Sequence, residues 1–302
     1  MDVNVAWSRR HLIAGSAAAL ALAGCGRRDK APPTAAAPAA APPANAAPPV
    51  GSLAWAVAGD WRQGDARRDR WRHPVQTLEF FGLRPGQTVV EMWPGVGWYT
   101  EILAPYQKAN GGKLYAATFE TAPGDTASAQ IVDTYKKMFS AKPDLYGQIA
   151  YTAFGPKSGP LAPAGSADLV LFMLTLHSWM AAGLAEKAFR DAFAALKPGG
   201  VLGVEAHRAE PGRPQDPLAV SGYVQEAYVR KMAEEAGFRF DKKSEINANP
   251  ADTKDYPFGV ETLPPDRRSA PAGAAPDPKF DHRRYDAIGE SDRMTLRFVK
   301  PG

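Results

Sequence analysis

The stretch VVEMWPGVGWYT, residues Val89–Thr100, decides how the fold of this chain is interpreted. An apolar run ends in Glu91, a loop that contains Gly95 and Gly97 follows, and a helix pattern begins close behind. A strand that turns through such a loop into a helix is typical of nucleotide-type cofactor sites, because glycine lets the backbone approach a ligand and a helix start offers unpaired N–H groups. Trp93 stands where these loops normally carry their first glycine. The loop therefore either holds a cofactor or is closed by an indole.

Strand and helix signals alternate along the rest of the chain. Apolar runs at Thr88–Met92, Lys113–Phe119 and Asp168–Thr175 predict strands, and the last is continuous, as expected for a strand covered on both faces. Helix patterns include Tyr99–Ala109 and Val220–Ala236. This alternation predicts an α/β fold with three layers and a mainly parallel sheet. Ligands of such sheets bind outside the carboxyl ends of the strands, beside the first strand–helix turn.

Three segments resemble the class I S-adenosylmethionine-dependent methyltransferases. Glu91, Gly95 and Gly97 match the acidic residue and glycine loop of that family. ADLVLFMLTLHSW, residues 167–179, resembles its fourth strand and following loop, and AFAALKPGGVLGVEAHR, residues 192–208, resembles its next helix, turn and fifth strand. The resemblance implies a seven-stranded Rossmann-like methyltransferase sheet with an antiparallel last strand, and S-adenosylmethionine as the cofactor.

A narrower resemblance concerns a group of envelope-exported, predicted methyltransferases. It is carried by PGVGWYTEILAPY at residues 94–106, EINANPADTKDYP at 245–257 and IGESDRMTLRFVKP at 288–301. It implies an enzyme that works in the cell envelope of a bacterium.

The resemblance also implies which residues contact the cofactor. Glu91 either orders the loop or holds a cationic group, and Trp93 either packs over the methionine or adenosine part of the cofactor or fills its space. The family carries an acid near the end of the second strand, where this chain has Thr118; Glu120 lies two positions on, on the same face, and is the expected substitute. The predicted cofactor-binding residues are Glu91, Trp93, Gly95, Gly97, Trp98 and Glu120.

Two histidines that follow strands are the predicted catalytic residues. Methyl transfer from a sulfonium needs mainly alignment of the nucleophile with the methyl group, and a general base helps only when the acceptor is protonated. His177 follows the fourth strand and has an ordinary pKa suited to that task; a capping or packing role is the alternative. His207, near Glu205, is the second candidate. No metal-ligand spacing appears, so no metal site is predicted.

The N-terminal residues indicate export. Arg9 and Arg10 precede a short apolar run that ends in Leu22–Cys25, which resembles a twin-arginine lipoprotein signal with Cys25 as the lipidated residue. A plain secretory signal with an incidental cysteine is the alternative. Residues 26–50 form an Ala/Pro-rich linker, which favours extended polyproline II structure. The predicted domain spans 51–302, with a helical preamble at 51–86 and a long loop insertion at 248–290.

Composition limits the partners. The 36 Lys and Arg residues barely exceed the 32 Asp and Glu residues and form no long basic run, so we expect a solvated surface and no nucleic-acid partner. We expect a periplasmic, lipid-anchored methyltransferase that acts on a small-molecule or envelope acceptor, with the outer membrane preferred because Gly26 follows Cys25. A non-catalytic binding module on the same fold and a hydrolase on a similar sheet are the alternatives. The acceptor and the oligomeric state are not predicted.

Overall fold

A seven-stranded sheet forms the centre of the computed structural model, which describes residues 47–302. The strands are β1 Thr88–Met92, β2 Lys113–Phe119, β3 Ile149–Phe154, β4 Ala167–Met173, β5 Leu196–His207, β6 Arg239–Ser244 and β7 Arg293–Val299. Their order in the sheet is β3-β2-β1-β4-β5-β7-β6. The first five strands are parallel, and β7 is antiparallel to both of its neighbours. This topology confirms the predicted Rossmann-like methyltransferase fold.

Helices cover both faces of the sheet. They are α1 Leu53–Val57, α2 Asp69–Arg72, α3 Pro74–Phe81, α4 Thr100–Ala109, α5 Thr126–Ser140, α6 Pro143–Tyr146, α7 Leu176–Ala181, α8 Ala185–Ala195, α9 Glu226–Glu235 and α10 Arg283–Ile288. Adjacent residues of a strand point to opposite faces, so Val89 joins an apolar layer with α3, α4 and α5, and Val90 joins one with α7, α8 and α9. These two layers are the hydrophobic core.

One predicted helix begins later than its sequence pattern indicated. The apolar spacing predicted a helix over Val220–Ala236, but α9 starts only at Glu226. Gly222 has a positive φ of 80°, and Val224 forms a parallel bridge with Arg208 just beyond β5. The backbone of this stretch therefore extends the end of β5, which a helix could not do.

Two further facts concern the N-terminal residues and the helices. The predictions for Cys25, for the signal and for most of the linker fall on residues outside the described range. Within residues 47–302, no helix has the length and apolar character needed to cross a membrane.

Candidate functional site

The candidate site lies at the carboxyl ends of the parallel strands, where strand order reverses between β1 and β4. This crossover is the place where open α/β sheets bind ligands, because the loops on either side diverge and leave a crevice. The loop after β1, the β4–α7 loop and the end of β5 meet there. The loop after β1, the first turn of α7 and the end of β5 contain residues that the sequence predicts to be functional.

The two glycines of the loop after β1 differ in what surrounds them. Both have positive φ, 59° at Gly95 and 97° at Gly97. A Cβ at Gly95 would meet no heavy atom of the described residues within 4 Å, whereas one at Gly97 would lie 2.5 Å from the ring of Phe139 on α5. Gly95 thus leaves room outside the loop, and Gly97 permits close packing of α5 against it.

Gly95 opens onto an apolar groove. The groove has a volume of about 460 Å³ and lies between the loop and α5, where Val96, Ile131 and Met138 are exposed to solvent. This is free space directly beside the glycine that the sequence predicted to approach a ligand.

Glu91 supports the loop from below. Its buried carboxylate accepts a hydrogen bond from Thr100 Oγ1 at 2.6 Å, and the same hydroxyl lies 2.9 Å from the hydroxyl of Tyr135. Burial raises the pKa of Glu91 to about 7. Through these contacts Glu91 connects the end of β1 to the start of α4.

Trp93 lies across the ends of β2 and β3. Its φ is 47°, and its main-chain N–H donates to the carbonyl of Ala117 at 2.8 Å. The indole Nε1 donates to the main-chain carbonyl of Phe154 at 2.9 Å. Ring centroids of Phe119, Phe154 and Trp179 lie 4.7, 6.1 and 5.8 Å from that of Trp93. The indole is therefore held among three aromatic side chains.

Glu120 directs one carboxylate oxygen at the backbone beyond β3. Oε2 accepts a hydrogen bond from Lys157 N at 2.8 Å, and a Cβ at Gly155 would approach this oxygen to 2.6 Å. Among the described residues Oε1 has no hydrogen-bond partner. Thr118, the residue aligned with the family acid, donates its hydroxyl to the carbonyl of Thr152. Glu120 thus has one carboxylate oxygen without a partner among the described residues. The hydroxyl hydrogen of Thr118, in contrast, is already donated to Thr152.

Trp98 packs against the segment that precedes the sheet. The guanidinium carbons of Arg62 and Arg72 lie 4.9 and 4.7 Å from the centroid of its ring, and its Nε1 donates to the carbonyl of Asp65 at 3.1 Å. The side chain is buried. Its contacts fix the preamble to the loop, and no pattern in the sequence indicated them.

The structure brings the two predicted catalytic histidines together. The ring centroids of His177 and His207 are 5.2 Å apart, and His207 Nδ1 lies 2.5 Å from the hydroxyl of Ser291. Burial lowers the pKa of His177 to about 4. The pKa of His207 is also lowered, chiefly by burial and further by His177, Arg293 and Arg72. Both imidazoles are neutral at pH 7, and both are weaker bases than their ordinary pKa predicted.

A buried charged network, which was not predicted from the sequence, includes Glu205 two residues before His207 on β5. Tyr99 donates to Glu205 at 2.9 Å, and Arg293 Nη1 lies 3.3 Å from the other Glu205 oxygen and 3.0 Å from Glu290. Glu290 also pairs with Arg72 at 2.8 Å. The available signal was the concentration of charge in two distant stretches, RRDRWR at residues 67–72 and ESDR at residues 290–293.

A second cavity lies beside Tyr223. Its volume is about 370 Å³, and Tyr223, Arg213 and Lys254 are among the residues that line it. The ring of Tyr223 is 6.5 Å from that of His207, centroid to centroid.

In residues 47–302, no group of three or more His, Cys, Asp and Glu side chains is placed to hold a metal ion.

Comparisons with known proteins give the fold. No protein-family model matches the chain, and no curated protein has a significantly similar sequence. The structure of the 4+2 cyclase SpnF is 16% identical, with a TM-score of 0.50, over 81% of this chain and 83% of the cyclase. A SAM-dependent methyltransferase from Aquifex aeolicus is 20% identical, with a TM-score of 0.48, over 62% of this chain and 90% of its own.

A third structure is phosphoethanolamine N-methyltransferase 2 from Haemonchus contortus in complex with S-adenosyl-L-methionine. It is 16% identical, with a TM-score of 0.49, over 77% of this chain and 53% of its own. At such an identity the likeness to the cyclase concerns the fold alone.

Proposed function

We propose that this protein transfers a methyl group from S-adenosylmethionine to a small-molecule or envelope acceptor. The observation that carries the proposal is the glycine loop at the β1–β4 crossover of a sheet with the methyltransferase strand order, where Gly95 opens onto a groove of about 460 Å³. Open α/β sheets bind nucleotide-type ligands at this crossover.

The residues at the crossover fit this cofactor in part. Gly95 leaves open space beside the loop for a ligand, and the N–H groups at the start of α4 suit a carboxylate. Glu120 has one free carboxylate oxygen, which suits a ribose hydroxyl. Glu91 and Trp98 act indirectly, because their contacts hold the loop in place. Trp93 occupies space on the β2–β3 side. When bound, the cofactor supplies an electrophilic methyl group on sulfur.

His177 and His207 supply proton acceptors on the acceptor side. A neutral imidazole has a free lone pair, and both rings stay neutral at pH 7 because burial lowers their pKa. Either ring can accept a hydrogen bond from a hydroxyl or amine of the methyl acceptor. That bond orients the lone pair of the acceptor's oxygen or nitrogen toward the methyl group. Since both are weak bases, we assign them mainly the alignment of the acceptor. The cavity beside Tyr223 offers room for that acceptor.

We also propose that the protein works as a periplasmic lipoprotein, anchored through Cys25, with the outer membrane as the preferred location. The support is the twin-arginine pair followed by the apolar run and cysteine, and the Ala/Pro-rich linker of residues 26–50 that separates them from the domain. An envelope component is then the acceptor within reach.

One observation favours a second function, a non-catalytic binding module on the same fold. The Trp93 indole and one oxygen of Glu120 already bind main-chain groups of residues 154–157. A domain with these groups engaged internally is suited to a ligand other than S-adenosylmethionine, or to a protein partner.

Binding of S-adenosylhomocysteine by the purified protein tests the proposal. A ligand at a hundred times its Kd stabilises the folded state by about 2.7 kcal/mol, which a thermal shift detects. A positive result is followed by transfer of a radiolabelled methyl group from S-adenosylmethionine to an envelope extract. A protein with no shift at millimolar ligand is not a methyltransferase of this kind, and the binding-module function is then favoured.

A further inference from the structure

We propose that Trp93 is the residue that sets the affinity for adenosyl ligands, because its indole occupies the slot in which the adenine base binds. This inference rests on the proposed function and concerns the loop after β1 at the same carboxyl ends of the strands. It answers whether the tryptophan in the loop contacts a cofactor or takes its place.

The slot is formed by three aromatic side chains and one carbonyl group. Phe119 ends β2, Phe154 ends β3 and Trp179 lies on α7. Their ring centroids lie between 4.7 and 6.1 Å from that of Trp93, and the carbonyl of Phe154 accepts the indole N–H at 2.9 Å. The slot is therefore walled by aromatic rings and has a main-chain hydrogen-bond acceptor at its edge.

An indole and an adenine have matching chemistry in such a slot. Both are planar two-ring systems that pack against aromatic rings, and both carry an N–H donor. The donor of Trp93 bonds to a main-chain carbonyl, which is also a suitable acceptor for the amino group of adenine. The tryptophan thus makes the contacts that the base of a ligand requires, and the two compete for one place.

The indole N–H of Trp179 is a hydrogen-bond donor to which Trp93 supplies no acceptor. Its Nε1 is buried and has no hydrogen-bond partner among the described residues, while its ring lies against Trp93, Phe154 and Phe172. Buried donors of this kind are rare in folded proteins. A purine has ring nitrogens that accept hydrogen bonds, whereas an indole has none. Trp179, whose ring centroid lies 5.8 Å from that of Trp93, therefore has a donor for which a base, but not Trp93, can supply an acceptor.

The backbone of Trp93 is also specific to this arrangement. A φ of 47° is uncommon for a residue with a bulky side chain, and such a conformation persists only when its surroundings hold it. The bonds to Ala117 and Phe154 do so. A glycine adopts this φ freely, so replacement of Trp93 by glycine empties the slot without bending the loop.

Calorimetric titration of wild type and Trp93→Gly with S-adenosylhomocysteine tests the proposal. If the indole fills the slot at least nine-tenths of the time, its removal tightens binding roughly tenfold or more. Trp93→Phe, which keeps a ring but loses the N–H, is expected to lie between the two. Free indole should raise the melting temperature of Trp93→Gly and not that of wild type, because only the variant has an empty slot.

Each result of this experiment decides between the proposals. If wild type binds and Trp93→Gly binds equally or more weakly, Trp93 is a contact or a bystander, and the inference is overturned while the proposed function stands. If only the variant binds, the inference holds and methyl transfer by the natural protein is refuted. If neither binds, both fail. Should Trp93→Gly not fold, Trp93→Asn repeats the test, because asparagine tolerates the same φ.

Discussion

The hydroxyl of Tyr99 donates a hydrogen bond to Glu205 Oε2 at 2.9 Å, and both side chains are buried. Tyr99 belongs to the loop after β1 and Glu205 to β5, so the bond crosses the end of β4. Through Arg293 and Glu290 the same carboxylate is connected to Arg72 of the preamble. The cofactor side and the histidine side of the site are thereby held in one geometry.

Replacement of Tyr99 by phenylalanine should destabilise the domain. The change leaves a buried carboxylate oxygen without its donor, which costs about 1–3 kcal/mol. Urea unfolding measures the free energy of unfolding. The matched control is Tyr106→Phe on α4, whose hydroxyl has no hydrogen-bond partner in the described part of the chain. Equal losses for the two variants would mean that the bond to Glu205 contributes little.

Stability should fall in mild acid because of the histidine pair. Burial lowers the pKa of His177 to about 4, whereas an unfolded histidine has a pKa of about 6.5. The unfolded state therefore takes up the proton first, and the stabilisation present above about pH 6.5 is lost as the pH falls toward 4. For His177 alone the loss is about 3 kcal/mol. The difference in free energy of unfolding between wild type and His177→Gln, measured across this range, should change by that amount; parallel curves would contradict it.

The two glycines of the loop should respond differently to substitution. Gly95→Val should abolish binding of S-adenosylhomocysteine while the domain stays folded, because its Cβ points into open space and only the strain of positive φ, about 1–2 kcal/mol, opposes it. Gly97→Ala adds a clash with Phe139 and should cost about 2–5 kcal/mol.

Gly86→Val is the control for this pair. Gly86 has a φ of 77° and the same open surroundings among the described residues, but it lies in the turn before β1, away from the crevice. It should match the stability loss of Gly95→Val and keep full ligand affinity. Retained affinity in Gly95→Val would move the ligand site elsewhere.

Replacement of Cys25 by serine should release the protein from the membrane. Serine cannot form the thioether to a diacylglycerol group, so labelling with a radioactive fatty acid is lost and the protein moves to the soluble periplasmic fraction. Replacement of Arg9 and Arg10 by lysine should instead keep it in the cytoplasm, if export follows the twin-arginine route. Unchanged membrane association of Cys25→Ser would show that the cysteine is incidental.

The sheet was predictable because strands leave a local signal. The bounds of β1 and β2 agree with those predicted from their apolar runs, and the loop between β1 and α4 was identified from its glycines. The start of α9 was not predicted correctly, because the apolar residues between Val220 and Val224 fit a helix period equally well. Local pattern cannot distinguish a first helical turn from an extended segment that pairs with a distant strand.

The side-chain contacts of the candidate site could not be predicted from the sequence for a different reason. Trp93 bonds to a residue 61 positions away, and Tyr99 to one 106 positions away. Each residue type was visible, but which of several aromatic or acidic residues would face it depends on strand register and helix packing. The lowered pKa of His177 likewise arises from burial, which single positions in a loop do not reveal.

The carboxyl group under the glycine loop has a thermodynamic consequence. With a pKa of about 7, Glu91 carries a proton in roughly half of the molecules in a neutral solution. A ligand that settles on the loop and prefers one of these two forms must release or take up protons as it binds. Its apparent heat of association will then vary with the ionisation enthalpy of the buffer.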